Sequence, residues 1–76
     1  MEELLEHVAR RLVDRPEDVR VTREEREGVV VLKLEVAEAD VGKVIGRHGR
    51  LARALRTLAR ASSAKTGERV LLEIGA

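Results

Sequence analysis

The chain has 76 residues and a formal net charge of +1, so it is one small domain and not a general polycation. Its 43% of hydrophobic residues are enough for a core, while the absence of Cys excludes disulfides and cysteine zinc sites. With two His and no aromatic residue, it lacks the ligands of a histidine metal cluster and the rings on which many nucleic-acid modules stack bases, and we expect no cofactor.

The first predicted element is a helix from Glu2 to about Asp14. Apolar residues recur on one side of it at helical spacing, and they are Leu4, Leu5, Val8 and Leu12. Arg15 precedes Pro16, and the residue before a proline is disfavoured in helical geometry, so the helix should end here.

A hairpin of two strands is predicted next. Val19 and Val21 alternate with polar residues, and the charged run 23–27 flanks them, which indicates a weak strand at a sheet edge. Gly28 separates it from a stronger strand, residues 29–36. One face of that strand carries four apolar side chains, those of Val30, Leu32, Leu34 and Val36.

Two helices and a final strand complete the predicted order α-β-β-α-α-β. Asp40 is a candidate N-cap for a short helix that ends at Ile45, and a long amphipathic helix runs from Arg50 to about Lys65. On the long helix an apolar stripe lies opposite a basic one, formed respectively by Leu51, Leu55 and Leu58 and by Arg53, Arg56 and Arg60. Residues 69–74 alternate as the last strand.

The tetrad Gly46-Arg47-His48-Gly49 separates the two helices. Glycine at both ends permits a tight turn and lets the backbone of a ligand approach without meeting a β-carbon. The turn also opens a helix, whose free N–H groups and dipole favour a phosphate. A Gly-x-x-Gly turn also occurs between helices that bind nothing, so the tetrad alone does not assign a function.

Positive charge is concentrated around this tetrad. Between Val41 and Gly67 there are seven basic residues and no acidic one, whereas the remainder carries eight basic and fourteen acidic residues. The two parts have net charges of +7 and −6, which sum to the +1 of the whole chain. Such a segment indicates a local anion site. A solvated helix face would give the same pattern, and we favour that interpretation for Arg56 and Arg60.

The stretch VGKVIGRHGRLARALRTL, residues 41–58, resembles the core signature of a KH domain. With its element order and length, the chain is similar to the small bacterial KhpA family of stand-alone KH proteins. The resemblance implies an α+β fold, a single type II KH domain over residues 1–76, with a three-stranded sheet covered on one face by helices and the GxxG turn between the second and third helices. Its parts would be the helix and hairpin 1–36, the helix-GxxG-helix unit 40–65 and the last strand 69–74.

The resemblance also implies non-catalytic binding of single-stranded RNA. In KH domains the tetrad clamps the backbone of about four nucleotides, and the bases lie in a groove beside it. Carried onto this chain, the RNA-binding residues are Gly42, Lys43, Ile45, Gly46, Arg47, His48, Gly49, Arg50 and Arg53. Val44 would support the floor of the groove or belong to the core, and Val31 or a neighbour on the second strand would lie opposite.

Partners and cellular role follow from the same resemblance. It implies a homodimer or a heterodimer with a larger KH-containing protein of the KhpB (Jag/EloR) type, and a role as RNA chaperone or post-transcriptional regulator linked to cell elongation and envelope homeostasis. A flank of small residues on the long helix would admit a second helix, and it is formed by Ala54, Thr57 and Ala61. No apolar run approaches the roughly 20 residues of a membrane span, and the N-terminus lacks a signal peptide's features, so we expect a cytoplasmic location.

Two alternatives stay open. The chain is a protein-interaction or dimerisation subunit whose RNA contact is secondary, or its groove takes single-stranded DNA, because nothing in the sequence reads a 2′-hydroxyl. An enzyme is not expected, since no phosphate-loop Lys-Ser/Thr follows the glycines and no carboxylate pair lies in the basic segment.

Overall fold

The computed structural model describes residues 1–64 and 66–76. Within them the elements follow the predicted order α-β-β-α-α-β, and the three strands form one sheet. The elements are α1 (Glu2–Leu12), β1 (Arg20–Arg26), β2 (Val29–Glu35), α2 (Val41–Ile45), α3 (Arg50–Ser63) and β3 (Arg69–Gly75). The fold is therefore α+β, as the resemblance implies.

Helix α1 ends at Leu12, slightly before the predicted boundary. Val13 is already extended, with φ −98° and ψ 161°, and Pro16 begins a short 3₁₀ turn. Because residues 13–15 have left the helix, the N–H groups of Asp14 and Arg15 need acceptors from another part of the chain.

Strand β1 continues through the charged run that we predicted would only flank it. Arg26 pairs with Val29, and Glu27 and Gly28 form a two-residue turn in which both φ angles are positive, as a type I′ hairpin requires. The charged residues are compatible with a strand because every second one lies on the open face of the sheet. There Glu24 pairs with Arg26 at 2.8 Å and with Lys33 at 3.2 Å.

The sheet is mixed, with β2 at its centre. Strand β2 pairs antiparallel with β1 and parallel with β3, so β1 lies at an edge as predicted and β3 forms the other edge. The predicted apolar face of β2 is buried, and it packs with Leu5 of α1, Val44 of α2 and Leu55 of α3. All three helices therefore cover the same face of the sheet.

Helix α3 buries Leu55 as predicted, but the rest of its buried stripe differs from the prediction. Its buried residues are Ala52, Leu55 and Ala59, whereas Leu58 is 36% exposed. The prediction that Leu58 faces the core is wrong, because the long helix approaches the sheet closely through its alanines. Helix α3 ends at Ser63, and the predicted end at Lys65 lies outside the described residues.

Candidate nucleic-acid interface

The tetrad begins where α2 ends, and its first residue has to be glycine. Gly46 has φ 76° and ψ 173°, a region that other residues essentially do not occupy. A β-carbon added here would lie 2.9 Å from Cγ of Leu51 and 3.1 Å from the backbone nitrogen of Leu51. The Gly46 N–H donates to the carbonyl of Gly42 at 3.0 Å, so the turn is held to both helices.

The rest of the tetrad is a 3₁₀ turn that ends in left-handed geometry. His48 has φ 57° and ψ 25°, and Gly49 has φ 72° and ψ 17°. The Gly49 N–H donates to the carbonyl of Gly46 at 3.1 Å and closes the turn. The N–H groups of Arg47 and His48, by contrast, are the first two of this turn, so the turn itself offers them no acceptor. Two donors in an exposed turn are thus available at the beginning of α3.

Basic side chains surround these two donors. Arg47, His48, Arg50 and Arg53 are exposed, and the Arg53 guanidinium lies 3.4 Å from the carbonyl oxygen of His48. In the part of the chain that the structure describes, none of the four pairs with an acidic side chain. The positive charge at the tetrad is therefore uncompensated, which suits an anionic ligand.

Lys43 is placed differently from the arginines. Its ammonium group donates to the carboxylate of Asp14 and lies 3.6 Å from Oδ1 of Asp40. The hydrogen bond with Asp14 raises the pKa of Lys43, against the opposing effect of burial. Lys43 thus remains charged, but two carboxylates already share that charge.

Asp40 is the one charged residue that is buried among those described, at 2% exposure. It occupies the N-cap position of α2 as predicted, but the predicted capping is wrong, because its side chain makes no cap bond. Its carboxylate instead accepts the N–H of Asp14 at 3.3 Å and the N–H of Arg15 at 3.1 Å. Burial raises the pKa of a carboxyl, but these two donors and Lys43 outweigh it, and the pKa of Asp40 is lowered. An acidic residue between Ala39 and Val41 was the only signal of this role in the sequence.

The remaining residues of α2 divide between core and surface. Val44 is fully buried and belongs to the core, whereas Ile45 is half-buried and lies outside the core cluster. Gly42 is exposed, and a β-carbon there would meet nothing within 4 Å. Packing therefore does not require glycine at this position, and the space beside it is open to a ligand.

A shallow groove lies between α3 and the edge strand β3. Arg56 and Arg60 line one side of it, and Val70, Leu71 and Leu72 line the other. Toward the end of α3 it widens into a depression of about 500 Å³. The sequence interpretation treated Arg56 and Arg60 as a solvated face. Their helical spacing from Arg53, which places all three on one side of α3, was the available signal of a shared surface.

The expectation that Val31 lies opposite this groove is wrong. Val31 pairs with Glu24 and Leu71 on the face of the sheet that the helices leave open. The strand that packs beside α3 is β3, an edge strand of the sheet. Leu71, which is 59% exposed, is the aliphatic side chain available at that edge.

The proposed flank of small residues faces outward from α3. Ala54, Thr57 and Ala61 are all exposed, and Leu58 lies between them on the helix surface. Over the described residues, no group of acidic or histidine side chains is arranged to hold a metal ion. No helix in those same segments is long and apolar enough to cross a membrane.

The fold agrees with a comparison to known proteins. A family model described as KhpA/KhpB, KH domain, matches residues 2–74. The chain belongs to the KhpA/KhpB KH-domain family. This confirms the resemblance drawn from residues 41–58 and agrees with the prediction that the chain is not an enzyme.

Several relatives are named RNA-binding protein KhpA. The one from Treponema pallidum (strain Nichols) is 58% identical over 73 residues, which cover 96% of this chain and 91% of the relative. The one from Aquifex aeolicus (strain VF5) is 50% identical over 74 residues, covering 97% of this chain and 94% of the relative. The one from Clostridium perfringens (strain 13 / Type A) is 46% identical over 74 residues, covering 97% and 99%.

Proposed function

We propose that the chain, as one KH domain over residues 1–76, binds single-stranded RNA and that residues 46–49 clamp its phosphate backbone. The observation that carries the proposal is the pair of exposed N–H donors at Arg47 and His48, to which the turn itself offers no acceptor. They lie in a turn with no β-carbon at either end, beside arginines that pair with no acidic side chain among residues 1–64 and 66–76. The naming of the relatives as RNA-binding proteins supports RNA as the ligand.

The groove between α3 and β3 is suited to hold the bases. Edge strand β3 presents backbone groups that no other strand pairs with in the described chain, and these can hydrogen-bond to base edges. The aliphatic residues Val70 and Leu71 line the groove in place of aromatic rings, whereas Leu72 behind them is buried in the core. Arg56 and Arg60 then continue the positive surface along the path of the backbone. The proposed contacts are Gly42, Lys43, Ile45, Gly46, Arg47, His48, Gly49, Arg50, Arg53, Arg56 and Arg60.

The test is fluorescence anisotropy of a labelled single-stranded RNA pool, titrated with the wild-type chain and with Arg47→Asp/His48→Asp. Asp is tolerated at the left-handed position of residue 48, so the double variant should fold, and thermal melts check this. We expect at least about tenfold weaker binding by the variant, because two phosphate contacts are lost and charge is reversed. The same titration with single-stranded DNA determines whether the groove distinguishes the two polymers.

A matched control is available on α1. His7→Asp/Arg11→Asp replaces the same two residue types at exposed positions and changes the net charge equally. Binding by this control should stay within about twofold of wild type. Equal loss in both double variants would mean that overall charge, rather than the tetrad, attracts the RNA. If wild type itself fails to bind, the proposed function is wrong.

A second candidate function is self-association through the outer face of α3, or pairing with a KhpB-type protein. The exposure of Ala54, Thr57 and Ala61 beside the half-exposed Leu58 favours it, since small residues let two helices approach closely. Ala61→Arg should lower the solution mass measured by light scattering, while Ala39→Arg, at an exposed residue of another segment, should not. If Ala61→Arg leaves the mass unchanged, the interface lies elsewhere.

The cellular role follows the family resemblance. We propose a cytoplasmic RNA chaperone or post-transcriptional regulator that acts on cell elongation and envelope homeostasis. A single groove of about four nucleotides binds weakly, so a second site contributed by a partner would raise the overall affinity. Transcripts that co-purify with wild type but not with Arg47→Asp/His48→Asp would identify its targets.

A further inference from the structure

Helix α2 is too short to be stable by itself. It has five residues, fewer than an isolated helix needs, so its position depends on contacts with the rest of the chain. At its end, Val44 is fully buried in the core. At its start, Asp40 is buried and bonded to the segment that follows α1. These two contacts determine where α2 points, and the tetrad begins immediately after it.

The Asp40 contacts join segments that are distant in sequence. The carboxylate accepts N–H groups from Asp14 and Arg15, 26 and 25 residues away. Lys43, one turn into α2, approaches the same carboxylate and also bonds to the side chain of Asp14. The start of α2 is therefore tied to the exit of α1 by the polar groups of four residues.

We infer that Asp40 is a positioning residue for RNA binding. It fixes α2 on the exit of α1 and so determines the position and orientation of the tetrad relative to the groove between α3 and β3. The inference rests on the proposed function. Without the Asp40 contacts, α2 is held mainly by the apolar contacts of Val44 and the half-buried Val41, and it can pivot about these side chains. The tetrad would then move relative to the groove between α3 and β3, and the donors of Arg47 and His48 would no longer align with phosphates.

The direction in which RNA affinity changes when Asp40 is neutralised distinguishes a positioning role from a purely electrostatic one. Asp40 is an acidic residue near an anion-binding turn, so its neutralisation should strengthen RNA binding if Coulomb interactions alone mattered. A positioning role predicts the opposite. Glu38→Gln is the matched control, because it removes the same charge from an exposed side chain two residues away.

The experiment compares wild type, Asp40→Asn and Glu38→Gln in RNA anisotropy titrations at a temperature where melts show each chain to be folded. We expect Asp40→Asn to weaken binding by about fivefold, which corresponds to about 1 kcal/mol, and Glu38→Gln to bind as tightly as wild type or slightly more tightly. Binding by Asp40→Asn that equals or exceeds that of wild type would overturn the inference. If wild type itself does not bind, the proposed function fails instead.

Amide hydrogen exchange in the free protein provides a readout that needs no RNA. The N–H groups of Gly46 and Gly49 donate within the turn, so their protection reports on the tetrad, whereas amides of β2 report on the whole fold. Asp40→Asn should reduce protection at Gly46 and Gly49 more than in β2. If Asp40→Asn does not fold, Lys43→Met takes its place in this measurement. Unchanged protection at both glycines in the variant used would contradict a positioning role.

Discussion

Gly46 lies against Leu51 so closely that a β-carbon on the glycine would be 2.9 Å from Cγ of Leu51. Leu51 is in the first turn of α3, so this contact fixes the tetrad to the helix that follows it. The tetrad is therefore held from both sides, by Leu51 on α3 and by α2, whose position depends on Asp40, and its shape is fixed only while both contacts are made. A corner with a fixed shape can hold its N–H donors in place before a ligand arrives, which lowers the entropic cost of binding.

The two glycines of the tetrad should differ in their tolerance of alanine. Gly46→Ala should lower the free energy of unfolding by about 2 kcal/mol or more, because a strained φ and a contact with Leu51 act together. Gly49→Ala should cost only about 1 kcal/mol, since φ is 72° but a β-carbon there meets nothing within 4 Å. Urea unfolding of both variants measures the two losses of unfolding free energy. Equal losses would show that the contact with Leu51 adds nothing to the cost of a β-carbon at Gly46.

Gly42→Ala should separate stability from binding. Alanine is favoured over glycine inside a helix and the space is open, so the unfolding free energy should rise by up to about 1 kcal/mol. RNA affinity should fall nonetheless, since the new methyl group occupies the surface where the backbone of the ligand is proposed to approach. Undiminished affinity would remove Gly42 from the proposed contacts.

The Asp40 cluster should give the chain a defined acid sensitivity. Because the pKa of Asp40 is lowered in the folded chain, its stabilising effect is complete above the unfolded value of about 3.9 and is lost as the pH falls through the folded value. The difference in unfolding free energy between wild type and Asp40→Asn should therefore be constant from about pH 5 to 8 and shrink below about pH 4. A difference that does not change down to pH 2 would contradict the arrangement.

Neutralising the arginines of the groove should change the salt dependence of binding. Each phosphate contact on a single strand contributes about 0.7 to the slope of log affinity against log salt concentration. Arg56→Gln/Arg60→Gln should therefore lower that slope by up to about 1.4. Arg11→Gln/Arg20→Gln, at exposed positions away from the groove, should leave the slope unchanged. Titrations at four salt concentrations determine both slopes.

Much of the fold was predictable because it depends on local patterns. Pro16 indicated the region where α1 ends, Gly28 located the hairpin turn, and the alternation in β2 identified its buried face. Helix α3 was harder, since hydropathy ranks leucine above alanine while close helix packing prefers the smaller residue. Leu58, predicted on the apolar stripe, is therefore exposed, whereas Ala59, for which no prediction was made, is buried.

The candidate site was predictable only in part, for a related reason. Glycines and arginines near the tetrad are close in sequence, so their grouping follows from the turn itself. The partners of Asp40 and Lys43 come from the exit of α1, and the groove beside α3 depends on β3 being an edge strand. Contacts between segments that are distant in sequence leave no periodic pattern in the chain.

The most direct test of RNA binding at residues 46–49 is an NMR titration of the labelled chain with a short single-stranded RNA, in which every amide resonance is followed. We expect the largest changes in chemical shift at residues 46–50, smaller ones along the Arg53 side of α3 and in β3, and few in α1. Changes concentrated on α1 or on the open face of the sheet around Val31, with the tetrad unmoved, would contradict this prediction.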